Sequence, residues 1–301
     1  MGEKYYELRI KINPELEDII SEICFETLPC EGVVLAEETY KDLEMVSTTE
    51  GTLRVFLTEK PPEEISNILE EQRNILKSRG FSDYELGSWE FSFEEKDNED
   101  WSKKWKEKWD ITRVSDKIVV VPDWLEYTPK TEEVMIKLEP GCAFGTGTHQ
   151  TTQLCMKAIE KYMPANTEVA DIGMGSGILA ICAMKFGAKH AYGCDNDDTV
   201  IDVAKENAKK NNVKCIFELN TADKIHTKYD FVLANILHNI LAEIMGDLKS
   251  IMKDGAYMVL SGILDEKKTI VLDAIKKHDL ELIEEMHQDQ WVALIVKNKE
   301  K

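Results

Sequence analysis

The stretch VADIGMGSGIL, residues 169–179, constrains the fold more than any other part of the sequence. Residues 169–172 form a short apolar run that is typical of the end of a buried strand. Gly173, Gly175 and Gly177 follow at every second position, and apolar helix-forming residues come next. Glycine permits a tight turn and lets backbone N–H groups at the start of a helix approach a ligand. The stretch therefore predicts a strand, a ligand-binding turn and a helix.

Predicted strands and helices alternate through the rest of the chain. Strand patterns lie at 169–173, 190–195, 214–219, 229–234 and 256–262, and helix patterns lie at 177–187, 197–210, 237–252 and 265–278. Two further strands, 280–286 and 290–297, follow each other without a helix. This order predicts a doubly wound α/β domain, with a mostly parallel sheet, helices on both faces and an antiparallel edge.

The first part of the chain has a different pattern. Strand-like alternation occurs at 5–12, 32–38, 52–58 and 84–94, and helix patterns lie between the first and second and between the third and fourth of these segments. The order β-α-β-β-α-β is that of a ferredoxin-like α+β domain.

A charged segment with Trp101, Trp105 and Trp109 connects the two parts. This spacing places the three rings on one face of a helix, which either packs against one domain or meets the substrate. We therefore predict a ferredoxin-like domain over residues 1–95, a linker helix over 96–115 and the larger α/β domain over 116–301.

The charge balance limits the partners. The chain has 37 Lys and Arg against 57 Asp and Glu, a net charge of −20. Such a surface repels a phosphate backbone, which argues against broad contact with nucleic acid. The excess of acid either attracts a basic protein or only keeps the chain in solution.

The cysteines and the N-terminus indicate the compartment. The seven cysteines are an odd number without a C-x-x-C pair, which is typical of free thiols in a reducing environment. The N-terminus MGEKYYELRI has no apolar signal region, and no long uncharged run is present, so we expect a cytoplasmic protein without a membrane span. No His, Cys or carboxylate set has metal-ligand spacing, so no metal is expected.

Asp195 and Asp171 indicate which cofactor the glycine turn binds. Asp195 ends the strand after Gly173, and an acid about 20 residues past such a turn accepts ribose hydroxyls. The alternative role of Asp195, a helix N-cap, is also available to Asp197. Asp171 stands directly ahead of Gly173 and Gly175, where it would repel a pyrophosphate but suit a cation. S-adenosylmethionine has a sulfonium, an amine and no phosphate, so it is favoured over NAD.

Two further segments end near the same edge of the predicted sheet. The loop AFGTGTHQTT, with Phe144, Thr146 and Thr152, is interpreted as a lid over the methionine end of the cofactor. His149 within it is either a general base or a hydrogen-bonded structural residue. Asn235 ends the strand FVLAN, where its amide oxygen and the next backbone carbonyl can accept hydrogen bonds from a substrate amine. The alternative role of Asn235 is to cap the following helix.

Five segments closely resemble the PrmA family, bacterial methyltransferases that modify protein eleven of the large ribosomal subunit. They are DWSKKWKEKW, LEPGCAFGTGTHQTT, VADIGMGSGILAICAMKFGA, YDFVLANIL and MVLSGIL, and the resemblance runs from about residue 98 to the end. The family usually has Cys where Met174 stands and Pro where Gln150 stands.

The resemblance implies a seven-stranded, Rossmann-like methyltransferase domain that uses S-adenosylmethionine. It also implies methylation of lysine side chains and the N-terminal amine of a basic ribosomal protein, free or on the ribosome, held by the N-terminal domain. Carried over as cofactor contacts are Thr152, Gly173, Asp195 and Asn235. With the residues derived above, the predicted site has Asn235 as catalytic residue and Phe144, Thr146, Thr152, Asp171, Gly173, Gly175, Asp195 and Asn235 as cofactor ligands.

Three alternatives remain from the sequence. A nucleic-acid adenine methyltransferase would place an Asn-Pro-Pro-aromatic motif where ANIL stands, but the prolines, the aromatic residue and a basic surface are missing. A small-molecule amine methyltransferase leaves the N-terminal domain without a role. A non-catalytic S-adenosylmethionine-binding assembly factor would not need Asn235.

Overall fold

The computed structural model describes residues 4–28, 30–35, 51–57, 65–97, 110–138 and 147–299. The chain divides into two compact units, Met1–Trp109 and Asp110–Lys301. The three tryptophans of the linker prediction lie outside the described residues.

The described residues of the first unit form four strands and three α-helices. They are β1 (Lys4–Ile12), α1 (Glu17–Thr27), β2 (Cys30–Leu35), β3 (Gly51–Leu57), α2 (Ile65–Ser78), α3 (Asp83–Leu86) and β4 (Phe91–Asp97). The strands form one antiparallel sheet in the order β2-β3-β1-β4, as the split βαβ arrangement requires.

Alternation along β1 explains the two faces of this sheet. Leu8, Ile10 and Ile12 are fully buried with the apolar residues of α1 and α2. Glu7 and Arg9 point to the opposite face, where both Arg9 and Arg54 bind the Glu7 carboxylate at 2.7–2.9 Å. Burying a carboxylate is tolerated here because several charged hydrogen bonds satisfy it.

The prediction of one strand over residues 84–94 is wrong in its first half. Ser82 and Glu85 form a capping box that starts the short helix α3, and Gly87 ends it at φ +82°. A Cβ at Gly87 would lie 2.7 Å from the backbone nitrogen of Asn13, so only glycine fits there. The strand begins after this turn, at Phe91.

The second unit opens with a three-stranded sheet, β5 (Thr112–Arg113), β6 (Ile118–Pro122) and β7 (Val134–Leu138). The predicted linker helix over 96–115 is therefore wrong at both ends, because β4 extends to Asp97 and residues 112–113 form β5. Val114 and Ser115 donate backbone hydrogen bonds to Ile118, which turns the chain back and pairs β5 with β6.

The main sheet of the second unit has seven strands. They are β8 (Glu168–Ile172), β9 (His190–Asp195), β10 (Ile216–Leu219), β11 (Tyr229–Asn235), β12 (Met252–Leu264), β13 (Leu280–Gln288) and β14 (Trp291–Asn298). Their order is β10-β9-β8-β11-β12-β14-β13. β8 to β12 pair in parallel, and β14 is antiparallel to both neighbours. The final strand pair thus forms the predicted antiparallel edge, with β13 outermost and β14 next to β12.

In the described part of the second unit, six α-helices accompany this sheet. They are α4 (Gln150–Tyr162), α5 (Ile178–Lys185), α6 (Thr199–Lys210), α7 (His238–Glu243), α8 (Met245–Ser250) and α9 (Lys268–Lys277). The central strand β11 is buried along Phe231–Asn235, as expected for a parallel strand that is covered on both faces. The predicted helix 237–252 is divided at Ile244, and β12 already begins at Met252.

The state of the cysteines and the character of the helices complete the description of the fold. Among the described residues the cysteines are free, and four of the six lie buried; Cys142 falls outside those residues. Within the same part of the chain, none of the helices has the length and apolar character that a membrane span needs.

Candidate active site

The carboxyl ends of three neighbouring strands bring the predicted residues together. β8 lies between β9 and β11, with Ile172 paired to Cys194 on one side and to Ala234 on the other. Gly173, Asp195 and Asn235 each stand next to one of these paired residues. The chain winds away from β8 in both directions, so this edge is the topological switch point where doubly wound sheets bind ligands.

The glycine turn has the backbone conformation that its sequence predicts. Gly173, Gly175 and Gly177 have φ values of +69°, +47° and +75°. Gly173 and Met174 donate their N–H groups to the carbonyl of Cys194 at 2.9 and 3.1 Å, which fixes the turn to β9. A Cβ at Gly177 would lie 2.8 Å from the ring of Phe217. A side chain is therefore excluded at Gly177.

Asp171 is a buried carboxylate directly beneath the turn. Its Oδ2 accepts a hydrogen bond of 3.0 Å from the backbone nitrogen of Ala180 on α5. Its Oδ1 is buried and has no hydrogen-bond partner among the described residues. Burial, and to a lesser extent the charge of Asp195, raises the pKa of Asp171 to about 7. The Oδ1 of Asp171 can therefore accept a hydrogen bond or contact a cationic group.

Asp195 is held in a fixed orientation at the end of β9. Its Oδ2 accepts from the backbone nitrogen of Gly175 at 3.0 Å, and its Oδ1 accepts from that of Asp197 at 3.1 Å. Burial raises its pKa, while these backbone bonds oppose the rise. A carboxylate has about four lone-pair sites, so these backbone bonds leave acceptor capacity for a ligand. Asp197 separately caps α6 through Thr199 at 2.8 Å, which leaves Asp195 available.

Asn235 presents an acceptor at the switch point. Its side chain is 7% exposed, and its Nδ2 donates to the hydroxyl of the buried Thr152 at 3.4 Å. Its Oδ1 is buried without a hydrogen-bond partner among the described residues. Since an unsatisfied buried carbonyl oxygen costs about 1–3 kcal/mol, a donor from a bound molecule would relieve this cost.

The chain is similar in sequence to known methyltransferases. A family model described as ribosomal protein L11 methyltransferase (PrmA) matches residues 4–299. The chain belongs to the PrmA family. The ribosomal protein L11 methyltransferase of Clostridium perfringens is 33% identical, with 98% of this chain and 99% of that protein aligned. The one from Caldicellulosiruptor bescii is 35% identical over the same shares.

A solved structure extends the comparison to the fold. The ribosomal protein L11 methylase of Lactobacillus delbrueckii subsp. bulgaricus superposes with a TM-score of 0.61 at 33% identity, over 64% of this chain and 100% of that one. PrmA membership gives the chain its function, the S-adenosylmethionine-dependent methylation of ribosomal protein L11. The resemblance found in the sequence, the α/β methyltransferase fold and the cofactor are thus confirmed.

In this PrmA member, His149 serves as a helix cap. Its Nδ1 accepts from the backbone nitrogen of Thr151 at 3.3 Å and lies 2.6 Å from the Thr151 hydroxyl. Its ring meets Trp291 edge-on, with centroids 4.8 Å apart. Burial lowers the pKa of His149 to about 4, so the ring is neutral at neutral pH. The lone pair that a general base needs is engaged by α4, which favours the structural role.

Replacing His149 with asparagine should therefore preserve activity. Asparagine is a good N-cap and does not titrate, so we expect kcat/KM within about threefold of wild type from pH 6 to pH 9. His149→Ala, which removes the cap, should lower the free energy of unfolding by about 1 kcal/mol. Initial rates across this pH range and chemical denaturation measure the two effects. A loss of activity in His149→Asn with normal stability would restore the general-base role.

Sequence reasoning missed several residues that support this site. Asn207, buried on α6, donates to the carbonyl of Ser176 in the glycine turn at 3.0 Å. Ser261 donates to the carbonyl of Thr151 at 3.3 Å. A polar residue inside a helix or strand gives no signal of such a contact, because its partner is distant in sequence. Phe144 and Thr146 of the predicted lid lie outside the described residues.

Proposed function

We propose that this enzyme methylates lysine side chains and the N-terminal amine of L11, with Asn235 orienting the amine. The supporting observation is the buried, unpartnered Oδ1 of Asn235 at the switch point. A neutral amine keeps N–H groups that can donate to this oxygen and to the following carbonyl of Ile236. Two acceptors on one side of the nitrogen turn its lone pair to the other side, toward the methyl donor.

The residues fit S-adenosylmethionine as the donor. The glycine turn brings backbone close to a ligand, and the free Oδ1 of Asp171 suits a cationic amino acid group better than a phosphate. We assign the ribose hydroxyls to Asp195 and the methionine end to Gly173, Gly175 and Thr152, with Phe144 and Thr146 covering it. When bound, the cofactor supplies an electrophilic methyl group on a sulfonium.

The acceptor amine must be neutral to react. A lysine with a pKa near 10.4 is protonated at pH 7 and has no lone pair. Transfer from water into a buried site beside a positive charge lowers that pKa. Because Asn235 is uncharged, it accepts hydrogen bonds without favouring the ammonium form, as a carboxylate would. His149 is engaged by α4, so we assign the removal of the proton to solvent before the amine enters.

The pKa of Asp171 predicts a pH-dependent cofactor affinity. Without ligand, about half of the Asp171 side chains are protonated near pH 7, and a bound cation favours the carboxylate. Binding then releases a proton, so the Kd for S-adenosylmethionine should fall as pH rises from 6 to 7 and become constant above about 8. Calorimetry in buffers of different ionisation enthalpy measures the released proton. Asp171→Asn should remove this dependence; an unchanged slope in the variant would contradict it.

The acidic surface supports a basic protein substrate rather than nucleic acid. The unit Met1–Trp109 has 14 Lys and Arg against 27 Asp and Glu, so it carries −13 of the net charge of −20. We propose that this unit attracts L11, free or on the ribosome, in the cytoplasm where ribosomal proteins function. The association rate with L11 should fall severalfold between about 50 and 300 mM salt, because ions screen such attraction. An association rate that does not change with salt would contradict electrostatic attraction of L11 to this unit.

Mass spectrometry of methylated L11 tests the proposed chemistry. Purified enzyme and S-adenosylmethionine are incubated with L11 from a strain that lacks this gene. We expect mass steps of one methyl group, located by peptide mapping on lysine side chains and the N-terminus. An L11 control with chemically blocked amines should gain no methyl group. Methyl groups on arginine, carboxylate or amide side chains would overturn the amine proposal and leave the family assignment intact.

A further inference from the structure

Ile236, the residue after Asn235, lies against two glycines, Gly173 in the turn after β8 and Gly262 in β12. A Cβ at Gly173 would overlap the Cγ2 of Ile236, and a Cβ at Gly262 would overlap its carbonyl oxygen. Gly173 and Gly262 have φ values of +69° and +82°, which also favour glycine. The side chain of Ile236 thus rests on the cofactor turn, while its carbonyl rests on β12.

Gly262 belongs to an irregularity in β12. The pairing of β12 with β14 shifts its register between Leu260 and Ile263, which leaves Ser261 and Gly262 outside the regular ladder. The carbonyl of Ser261 accepts a 3.2 Å hydrogen bond from the backbone nitrogen of Ile236. Irregularities of this kind redirect a strand locally and are common beside active sites.

Ser261 also contacts the opposite side of the site. Its side chain is fully buried, and its Oγ donates to the carbonyl of Thr151 at the start of α4 at 3.3 Å. The next residue of α4, Thr152, receives the hydrogen bond from Asn235. The pair Ser261–Gly262 is therefore bonded to both segments that determine where Asn235 and Ile236 lie.

We propose that Ser261 and Gly262 are positioning residues for methyl transfer, which act by fixing the turn Asn235–Ile236 against Gly173 of the cofactor turn. The inference rests on the proposed role of this turn as the amine acceptor. Gly173 lies on the donor side and Ile236 on the acceptor side, so the packing of Ile236 fixes the separation of the two reacting groups. A misplacement of about 1 Å between reacting groups can lower a rate about 100-fold.

Substitution of Gly262 tests the proposal. In Gly262→Ala the new methyl group displaces the carbonyl of Ile236, so kcat for L11 should fall at least about tenfold. The Kd for S-adenosylmethionine should stay within about threefold of wild type, because Gly173 and Asp195 are unaltered. Gly187→Ala is the matched control: its φ is +87°, and the added Cβ has its nearest neighbour at an ordinary 3.8 Å. That control should retain wild-type kcat.

Substitution of Ile236 gives a second test that does not depend on the folding of Gly262→Ala. Ile236→Ala removes the group that rests on Gly173, and kcat should fall about tenfold at unchanged cofactor affinity. Ile236→Val keeps a methyl group at that place and should recover most of the lost kcat. Wild-type kcat in both Gly262→Ala and Ile236→Ala would overturn the proposal. So would an equal loss of kcat in the control Gly187→Ala, or a loss of cofactor affinity in all of the variants.

The two proposals fail in different ways. If Asn235→Ala retains turnover, the amine-acceptor role itself is wrong. If Asn235→Ala is impaired while Gly262→Ala and Ile236→Ala are not, the acceptor role stands and the positioning role of the β12 irregularity is wrong.

Discussion

Replacement of Asn235 with alanine should lower kcat for L11 methylation by about 100-fold, with the Kd for S-adenosylmethionine changed less than about threefold. The variant removes the amide oxygen that lacks a partner in the described residues, so the amine loses an acceptor that fixes its orientation. Single-turnover rates at saturating L11 and cofactor separate this effect from binding. Calorimetry with the cofactor alone gives the Kd.

Variants of Thr152 test whether the orientation of the Asn235 amide matters, separately from the volume of the side chain at position 152. Thr152→Val keeps the volume but removes the hydroxyl that accepts from Asn235 Nδ2 at 3.4 Å, so the amide can rotate and kcat should fall. Thr152→Ser restores the hydroxyl and should recover most of the loss. If Asn235→Ala lowers the affinity for S-adenosylmethionine as much as it lowers kcat, Asn235 acts in cofactor binding and the acceptor role is wrong.

Replacement of Asp195 with alanine should raise the Kd for S-adenosylmethionine about 100-fold and leave kcat at saturating cofactor within about threefold of wild type. The expected loss follows from two hydrogen bonds to a charged group, each contributing about 1.5–3 kcal/mol before compensation by water. Titration calorimetry measures the Kd, and initial rates at several cofactor concentrations give kcat.

Asp198→Ala is the matched control for this change. It removes the same charge three residues away, from an exposed side chain that makes no capping bond to α6. If both variants raise the Kd for S-adenosylmethionine equally, the effect is due to the change in net charge. Asp195→Asn separates the remaining contributions, since it keeps an acceptor for the N–H of Gly175 or Asp197 but loses the charge.

Local chemistry made the candidate site predictable. Gly173 and Gly175 need positive φ values, and the apolar run before them ends at a buried strand, so the turn was evident from the sequence. Asp195 and Asn235 each end another predicted strand. The carboxyl ends of parallel strands lie at one edge of the sheet, so the sequence places these residues at that edge. The strand order β9-β8-β11 then makes them neighbours.

Errors arose where a local pattern had two readings. The apolar and polar alternation over 84–94 fits a strand, but the Ser82–Glu85 capping box and Gly87 favour a helical turn first. In β12, Gly255 has a φ of +75° within the strand, so the sequence pattern placed the start of the strand only after it, at residue 256. The position of β14 between β12 and β13 depends on long-range pairing that no local pattern reports.

The sequence by itself determined the alternation of strands and helices, the glycine turn and the polar residues at the strand ends, because these depend on neighbours within a few positions. Tertiary structure alone decided that the ring of His149 packs against Trp291, and that Ser261 bonds to Thr151 across 110 residues. It also decided that Ile236 fits between Gly173 and Gly262. Such contacts depend on the register and order of the strands, which are set by the packing of the whole sheet.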